Sequence, residues 1–195
     1  MKKDIILAGV GGQGILSIAA AIGMAAIDSG LYLKQAEVHG MSQRGGDVHS
    51  DLRLSDSEIA SDLIPEGNAD LILSVEPMES LRYLPMLARD GWLITNVNPY
   101  VNITNYPDMN EVLAEIGKVP RHITIDANKI ATDIGSRKSA NMVILGAASP
   151  FLGLEYDKLE QSVEKLFSRK GGDVVNANLN ALRQGRSHAA KFIHN

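Results

Sequence analysis

Residues 4–14 read Asp-Ile-Ile-Leu-Ala-Gly-Val-Gly-Gly-Gln-Gly, an apolar run that ends in a cluster of glycines. The pattern predicts a buried strand over residues 5–8, a tight turn, and an alanine-rich helix over residues 15–29. Glycine tolerates positive φ and lets the backbone approach a ligand closely, because it has no Cβ. The free N–H groups at the start of the helix also favour an anion. This turn is therefore the first candidate for a binding site.

The same glycines match a dinucleotide-binding fingerprint. Gly9, Gly11 and Gly14 satisfy G-x-G-x-x-G in a strand–turn–helix context. Glu37 follows roughly 20 positions later, near the spacing expected of the acid that binds the NAD ribose. Close packing of the first helix on a sheet would also require glycines here. The motif alone leaves ligand binding and packing open.

Strands and helices alternate along the rest of the chain. Further strands are expected over residues 31–37, 48–54, 69–75, 92–96 and 122–126, and helices over 78–89, 127–134, 140–148, 156–167 and 174–184. This alternation indicates an α/β fold with a doubly wound, mostly parallel, Rossmann-like sheet in a single domain. We expect the domain to span residues 1–185 and to be followed by a polar C-terminal tail over residues 186–195.

The charge balance excludes several classes of partner. The 195 residues carry a formal net charge of -4 and no basic block, so neither nucleic acid nor an anionic membrane is expected as a partner. The apolar runs are too short to span a bilayer. The first residues, Met-Lys-Lys-Asp, lack the pattern of a signal peptide, so a cytoplasmic location is expected.

The chain contains no cysteine. Disulfides, a cysteine nucleophile and cysteine-ligated iron–sulfur clusters are therefore excluded within this chain. Its five histidines do not show the spacing of a helical ligand pair, so no metal site is expected. Any redox chemistry must use an organic cofactor or a partner subunit.

Polar features follow the predicted strands at the edge where doubly wound sheets bind ligands. They are the glycine turn, the segment Glu-Val-His-Gly-Met-Ser-Gln-Arg-Gly-Gly at residues 37–46, and Glu76-Pro77. Arg44 stands out because its planar guanidinium binds carboxylates and phosphates bidentately, and flanking glycines give it freedom. An ordinary surface salt bridge is the alternative for Arg44.

Taken in order, these motifs resemble a known family. Gly-Val-Gly-Gly-Gln-Gly at residues 9–14 precedes the 37–46 segment, Asp-Leu-Arg-Leu at 51–54 and Ala-Asp-Leu-Ile-Leu at 69–73. This order resembles the gamma-type catalytic domain of 2-oxoacid:ferredoxin oxidoreductases, and within that group the beta subunits of the indolepyruvate type. The resemblance covers nearly the whole chain and implies a pyruvate/ketoisovalerate oxidoreductase catalytic-type domain over residues 1–185.

The resemblance implies a subunit of an enzyme that oxidatively decarboxylates a 2-oxo acid, such as indolepyruvate or another aryl pyruvate. Coenzyme A would accept the acyl group, and electrons would pass through 4Fe-4S clusters to ferredoxin. Thiamine diphosphate and the clusters would lie in a larger partner subunit, so the isolated chain is expected to be inactive. Gly172-Asp173 imitates a thiamine signature, but the asparagines at 176 and 178 follow it too closely.

On this interpretation, the glycine turn and the 37–46 segment face the partner subunit. Arg44 and Glu37 are the candidate catalytic residues, with Arg44 holding a carboxylate or phosphate and Glu37 as its polar neighbour. The candidate cofactor-binding residues are the glycines and polar residues of the two motifs: Gly9, Gly11, Gly12, Gln13, Gly14, Ser42, Gln43, Gly45 and Gly46.

Other functions are compatible with parts of the same pattern. A stand-alone NAD-dependent dehydrogenase would explain the fingerprint, although no second catalytic domain follows it. An adenylating enzyme shares an N-terminal Gly-x-Gly-Gly, and a nucleotide-binding interaction module would need no catalytic residues. Saturable binding of NAD or of ATP to the isolated chain would favour the dehydrogenase or the adenylating enzyme, respectively.

Overall fold

The computed structural model describes residues 1–40 and 45–193. Within these residues a six-stranded sheet has the order β2-β3-β1-β4-β5-β6. Each of the strands expected from the sequence is present. Their bounds are β1 Lys2–Val10, β2 Tyr32–His39, β3 Asp47–Ser55, β4 Ala69–Ser74, β5 Leu87–Asn96 and β6 His122–Ile125.

The sheet is mostly parallel, as predicted. β1, β4, β5 and β6 pair in parallel, whereas β3 pairs antiparallel with both β1 and β2. Residues 40–46 are the whole connection between β2 and β3. A crossover to a parallel neighbour needs a dozen or more residues, so this short connection can only form a hairpin. The hairpin inserts β3 between β1 and β2.

Helices cover both faces of the sheet, which confirms the doubly wound α/β class. One layer packs on Leu7, Leu52 and Leu73, and the other packs on Ile6, Ile72 and Leu93. Successive side chains of a strand point to opposite faces, so the apolar runs of β1 and β4 are buried on both sides. The first layer contains α1 Ile15–Asp28, α4 Ala127–Asp133, α5 Ala140–Ala148, α6 Tyr156–Phe167 and α7 Gly172–Ile193; the second contains α2 Pro77–Arg82 and α3 Met109–Ile116.

The helix expected over residues 78–89 is shorter than predicted. α2 ends at Arg82, a 3₁₀ turn covers Leu84–Met86, and β5 already begins at Leu87. Pro85 explains the early end, because proline lacks the N–H that would continue the helix and clashes with the carbonyl four residues earlier. Helix α3 was not predicted from the sequence. Its signal is Asp108, whose side chain accepts a hydrogen bond from Asn110 N at 2.8 Å as the N-cap.

The prediction that the last helix ends before Gly185 is wrong. α7 runs to Ile193 and so continues through residues 186–193, which were expected to form a polar tail. Gly185 lies inside α7, at the point where α5 crosses it. Glycine is needed there because a Cβ would lie 1.9 Å from the Val143 carbonyl oxygen. A Cβ on Gly146 of α5 would lie 1.9 Å from the Leu182 carbonyl oxygen. These two glycines permit helix–helix contact and do not cap a helix.

We predict that Gly146→Ala destabilises the protein, although alanine is more favourable than glycine inside a helix by about 1 kcal/mol. The added methyl group would push α7 away, and such overpacking costs about 1–3 kcal/mol. The matched control is Gly172→Ala at the start of α7, where nothing lies within 4 Å of the added Cβ. Urea unfolding measures both variants. A Gly146→Ala protein as stable as the Gly172→Ala protein would contradict this packing.

Candidate functional site

Gln13 holds the turn between β1 and α1 in place. Val10 N donates to Gln13 Oε1 at 2.8 Å, and Gln13 N donates to the Val10 carbonyl at 3.1 Å. Gln13 Nε2 also donates to the carbonyl of Val75, at the end of β4, at 3.5 Å. The Gln13 side chain therefore ties the turn to the neighbouring parallel strand.

The glycines of this turn fall into two groups. A Cβ on Gly9 would lie 2.3 Å from Val75 Cγ2, and a Cβ on Gly14, at φ +83°, would lie 2.5 Å from Asn141 Nδ2. These two glycines are required by packing. In contrast, a Cβ on Gly11 would have its nearest neighbour at 3.6 Å, and Gly12, at φ +100°, has nothing within 4 Å. Gly11 is therefore in ordinary contact with the β2–β3 hairpin, and of these four glycines only Gly12 faces open space that a ligand could occupy.

The second motif lies beside the first. Gly11 N donates to the Gly46 carbonyl at 2.9 Å, and Gly40 N donates to the Asp47 carbonyl at 2.8 Å, which closes the β2–β3 hairpin. The two glycine-containing motifs thus share the carboxyl edge of the sheet, as expected. The predicted site residues Ser42, Gln43 and Arg44 lie outside the described residues.

Glu37 does not occupy the position of a ribose-binding acid. In a dinucleotide-binding fold that acid follows the strand next to β1. Here β3 separates β2 from β1, and Glu37 pairs with Ser50 of β3. The offset is two strand spacings, or about 10 Å. Glu37 instead contacts His39 Nε2 and accepts a hydrogen bond from Gln35 Nε2 at 3.4 Å.

A crevice of about 400 Å³ opens at the carboxyl edge between β1 and β4. Strands β2 and β3 lie on one side of β1, and β4, β5 and β6 lie on the other. The gap between β1 and β4 is therefore the topological switch point, where doubly wound folds bind ligands. Its walls come from the glycine turn, the ends of β4 and β5, and the starts of α4 and α5. The lining residues are Gly12, Gln13, Val75, Asn96, Asn128, Arg137, Lys138, Ala140, Asn141 and Ile144.

Two asparagines brace the walls of this crevice. Asn96 is buried; its Oδ1 accepts from Ala127 N at 3.1 Å and its Nδ2 donates to the Val75 carbonyl at 3.3 Å. Asn141 Nδ2 donates to the Gly14 carbonyl at 3.1 Å. Both side chains connect elements that are far apart in the sequence. Both side chains thus fix the shape of the crevice walls.

The cations of the crevice were missed by the sequence analysis. Arg137 and Lys138 are exposed at its mouth, and neither forms an ion pair with a described residue. Helix α1 begins at this crevice, and the first N–H groups of a helix have no partner within it. Helix α5 also begins here, but Met142 N in its first turn already donates to Asn141 Oδ1 at 3.0 Å. The positive end of a helix dipole and nearby cations both favour an anion, so the crevice has the features expected of an anion site.

A second polar cluster lies at the same edge on the α2 face. Glu79 is buried, and its carboxylate accepts from Arg82 Nε at 2.8 Å. Burial raises the pKa of Glu79, and the Arg82 guanidinium opposes this effect. Tyr83 Oη lies 2.9 Å from His49 Nδ1, and burial raises the pKa of Tyr83 to about 12. Among the described residues, no group of three acidic or histidine side chains could hold a metal ion.

The model of the pyruvate ferredoxin/flavodoxin oxidoreductase family matches residues 4–188. The chain belongs to this family. Indolepyruvate oxidoreductase subunit IorB from Archaeoglobus fulgidus is 34% identical over 198 residues, covering 97% of this chain and 96% of the relative. The subunit of the same name from Methanothermobacter thermautotrophicus is 36% identical over 201 residues, covering 98% and 100%.

A solved structure shares the fold. The 2-oxoglutarate:ferredoxin oxidoreductase from Magnetococcus marinus, with 2-oxoglutarate, coenzyme A and succinyl-CoA bound, superimposes with a TM-score of 0.78 at 22% identity. The match covers 97% of this chain and 31% of that one. The resemblance that the motifs predicted is confirmed, and the relatives are subunits of 2-oxoacid oxidoreductases. None of the described helices is both long and apolar enough to cross a membrane.

We predict that the glycines of the turn respond differently to alanine. Gly9→Ala should destabilise the protein most, by about 3 kcal/mol, because its methyl group overlaps packed side chains. Gly12→Ala should cost about 1–2 kcal/mol, from its positive φ alone. Gly11→Ala should change stability least, because its backbone is unstrained and has room. Thermal unfolding measures the order of stability of the three variants. A Gly11→Ala protein less stable than the Gly9→Ala protein would refute the division of these glycines into two groups.

Proposed function

We propose that this chain is the small subunit of an aryl-pyruvate:ferredoxin oxidoreductase that uses indolepyruvate. The observation that carries the proposal is the 34% and 36% identity to the two IorB subunits over nearly the whole length of both chains. The complete enzyme oxidises and decarboxylates the 2-oxo acid, transfers the acyl group to coenzyme A and delivers two electrons to ferredoxin.

The redox groups belong to a larger partner subunit. The chain has no cysteine to ligate a cluster. Its thiamine-like residues do not fit the cofactor, because Gly172 and Asp173 open α7 and Asn178 donates to the Val174 carbonyl within that helix. Thiamine diphosphate, held by the partner, would supply the electron sink that stabilises the carbanion.

The carboxyl edge is the face that would meet this partner. Exposed apolar side chains surround the two motifs there: Leu16 is 52% exposed, Val38 50% and Val101 67%. Apolar surface rimmed by polar residues is typical of a protein-binding surface, and these three side chains lie on one edge of the sheet. Docking at this edge would place the glycine turn and the 37–46 segment against the partner's reactive groups.

The crevice between β1 and β4 suits the phosphates of coenzyme A. A pyrophosphate would lie against Gly12 and the start of α1, with Arg137 and Lys138 supplying positive charge. The Magnetococcus marinus relative binds coenzyme A. Arg44 remains our candidate for holding a carboxylate or phosphate, with Glu37 as its polar neighbour; with coenzyme A in the crevice, the carboxylate of the 2-oxo acid is the group we assign to Arg44.

The substrate assignment is tested by purifying the tagged chain anaerobically from its source cells with the polypeptides that accompany it. We expect a larger companion with iron–sulfur clusters and thiamine diphosphate, and coenzyme A-dependent reduction of ferredoxin by indolepyruvate. A complex that turns over pyruvate or 2-oxoglutarate in preference to aryl pyruvates would overturn the substrate. A chain that binds NAD or ATP and has no such companion would overturn the whole proposal.

We predict that the double variant Arg137→Ala/Lys138→Ala raises the KM of the complex for coenzyme A by about tenfold or more. The reason is the loss of two cations from a phosphate site, where charged hydrogen bonds contribute about 1.5–3 kcal/mol each. The KM for the 2-oxo acid should stay unchanged. The matched control is Arg169→Ala/Lys170→Ala, an exposed Arg-Lys pair before α7. An equal change in the KM for coenzyme A in both double variants would show that coenzyme A does not bind in this crevice.

A further inference from the structure

Glu76, just after β4, is a buried carboxylate that makes contacts in two directions. It is only 1% exposed. Its Oε2 accepts from Glu79 N at 2.8 Å and so caps α2. Its Oε1 accepts from Tyr100 N at 3.2 Å and from the Tyr106 hydroxyl. The carboxylate therefore anchors the connection that follows β5.

That connection, residues 97–108, runs between β5 and α3, and we call it the strap. Tyr100 and Tyr106 fix it to Glu76. Between these two anchors, Asn102 Nδ2 donates to the carbonyl of Gly45. A Cβ built on Gly45 would lie 3.7 Å from Asn102 Cβ and 3.9 Å from Tyr100 Cε1. The strap thus crosses from β5 to the β2–β3 hairpin.

The hairpin is held from two sides at Gly45 and Gly46. The Gly46 carbonyl accepts from Gly11 N at 2.9 Å, and the Gly45 carbonyl accepts from the strap. Gly45 adopts φ +76°, a conformation that glycine tolerates and other residues rarely adopt. The two contacts together fix the position of Gly45 and Gly46 just before the start of β3.

The strap exposes apolar side chains to solvent, whereas a loop that contributed to the core would bury them. Val101 is 67% exposed and Ile103 is 41% exposed, whereas the Glu76 carboxylate that anchors the segment is buried. Burial and the neighbouring Glu76 carboxylate both raise the pKa of Tyr106, so its hydroxyl stays protonated as a donor. The anchor thus holds a surface segment in one position and adds little to the core.

We propose that Glu76 is a positioning residue that acts through the strap on Gly45 and Gly46, at the end of the β2–β3 hairpin. Tyr100 and Tyr106 connect it to the strap, and Asn102 connects the strap to Gly45. Its effect on turnover rests on the proposed function, whereas its effect on the hairpin does not. The two effects are therefore measured separately.

The first measurement is amide hydrogen exchange in the full chain by mass spectrometry. Asn102→Ala and Tyr106→Phe each remove one hydrogen bond of the connection, and Asn105→Ala and Tyr32→Phe are matched controls at exposed positions. We expect both test variants to speed amide exchange over residues 40–47 about fivefold. A hydrogen bond contributes about 1 kcal/mol net, and its loss corresponds to a factor of about five. Faster exchange over residues 97–108 alone, or none at all, would refute the connection.

The second measurement is turnover of the complex reconstituted with each variant. We expect Asn102→Ala and Tyr106→Phe to lower kcat/KM for the 2-oxo acid about fivefold, with the KM for coenzyme A unchanged. The kcat/KM of the double variant should be no lower than that of the less active single variant, because both changes break the same connection. Unchanged turnover despite faster exchange would refute the positioning role. A wild-type complex inactive on aryl pyruvates would refute the proposed function and leave the exchange result standing.

Discussion

The hydrogen bond from Gly11 N to the Gly46 carbonyl joins the two motifs on which the site depends. It can form because the β2–β3 hairpin inserts an antiparallel strand next to β1, which brings residues 45 and 46 beside the glycine turn. The crevice opens on one side of this junction and the strap reaches it from the other. A conventional order, with β2 next to β1, would separate these parts.

The sequence predicted the strands and the edge on which the motifs meet, because buried strands leave continuous apolar runs and glycine turns are local. It did not predict the length of α7, since Gly185 serves a crossing with α5 that only the folded chain shows. The spacing of Glu37 was misleading for the same reason, because an inserted strand does not alter spacing. Arg137 and Lys138 escaped notice because the fold alone brings them to the turn.

On the proposed function, this chain contributes binding surfaces and its partner carries the redox groups. Its described polar residues brace a crevice, hold a hairpin and anchor a strap, and a chain without cysteine cannot supply thiolate ligands to an iron–sulfur cluster. Such a subunit acts by positioning, which is the part of catalysis that protein structure supplies when a cofactor carries the chemistry. The apolar side chains around the edge fit this division of labour.

On the proposed function, the site is complete only when this edge meets a second chain. The direct test is to assay this chain alone, its purified companion alone, and the two recombined, each with indolepyruvate, coenzyme A and ferredoxin. We expect full activity only in the mixture, and we expect it to rise with added chain up to one equivalent of the companion. Turnover by this chain on its own, or a companion whose activity does not change when the chain is added, would contradict it.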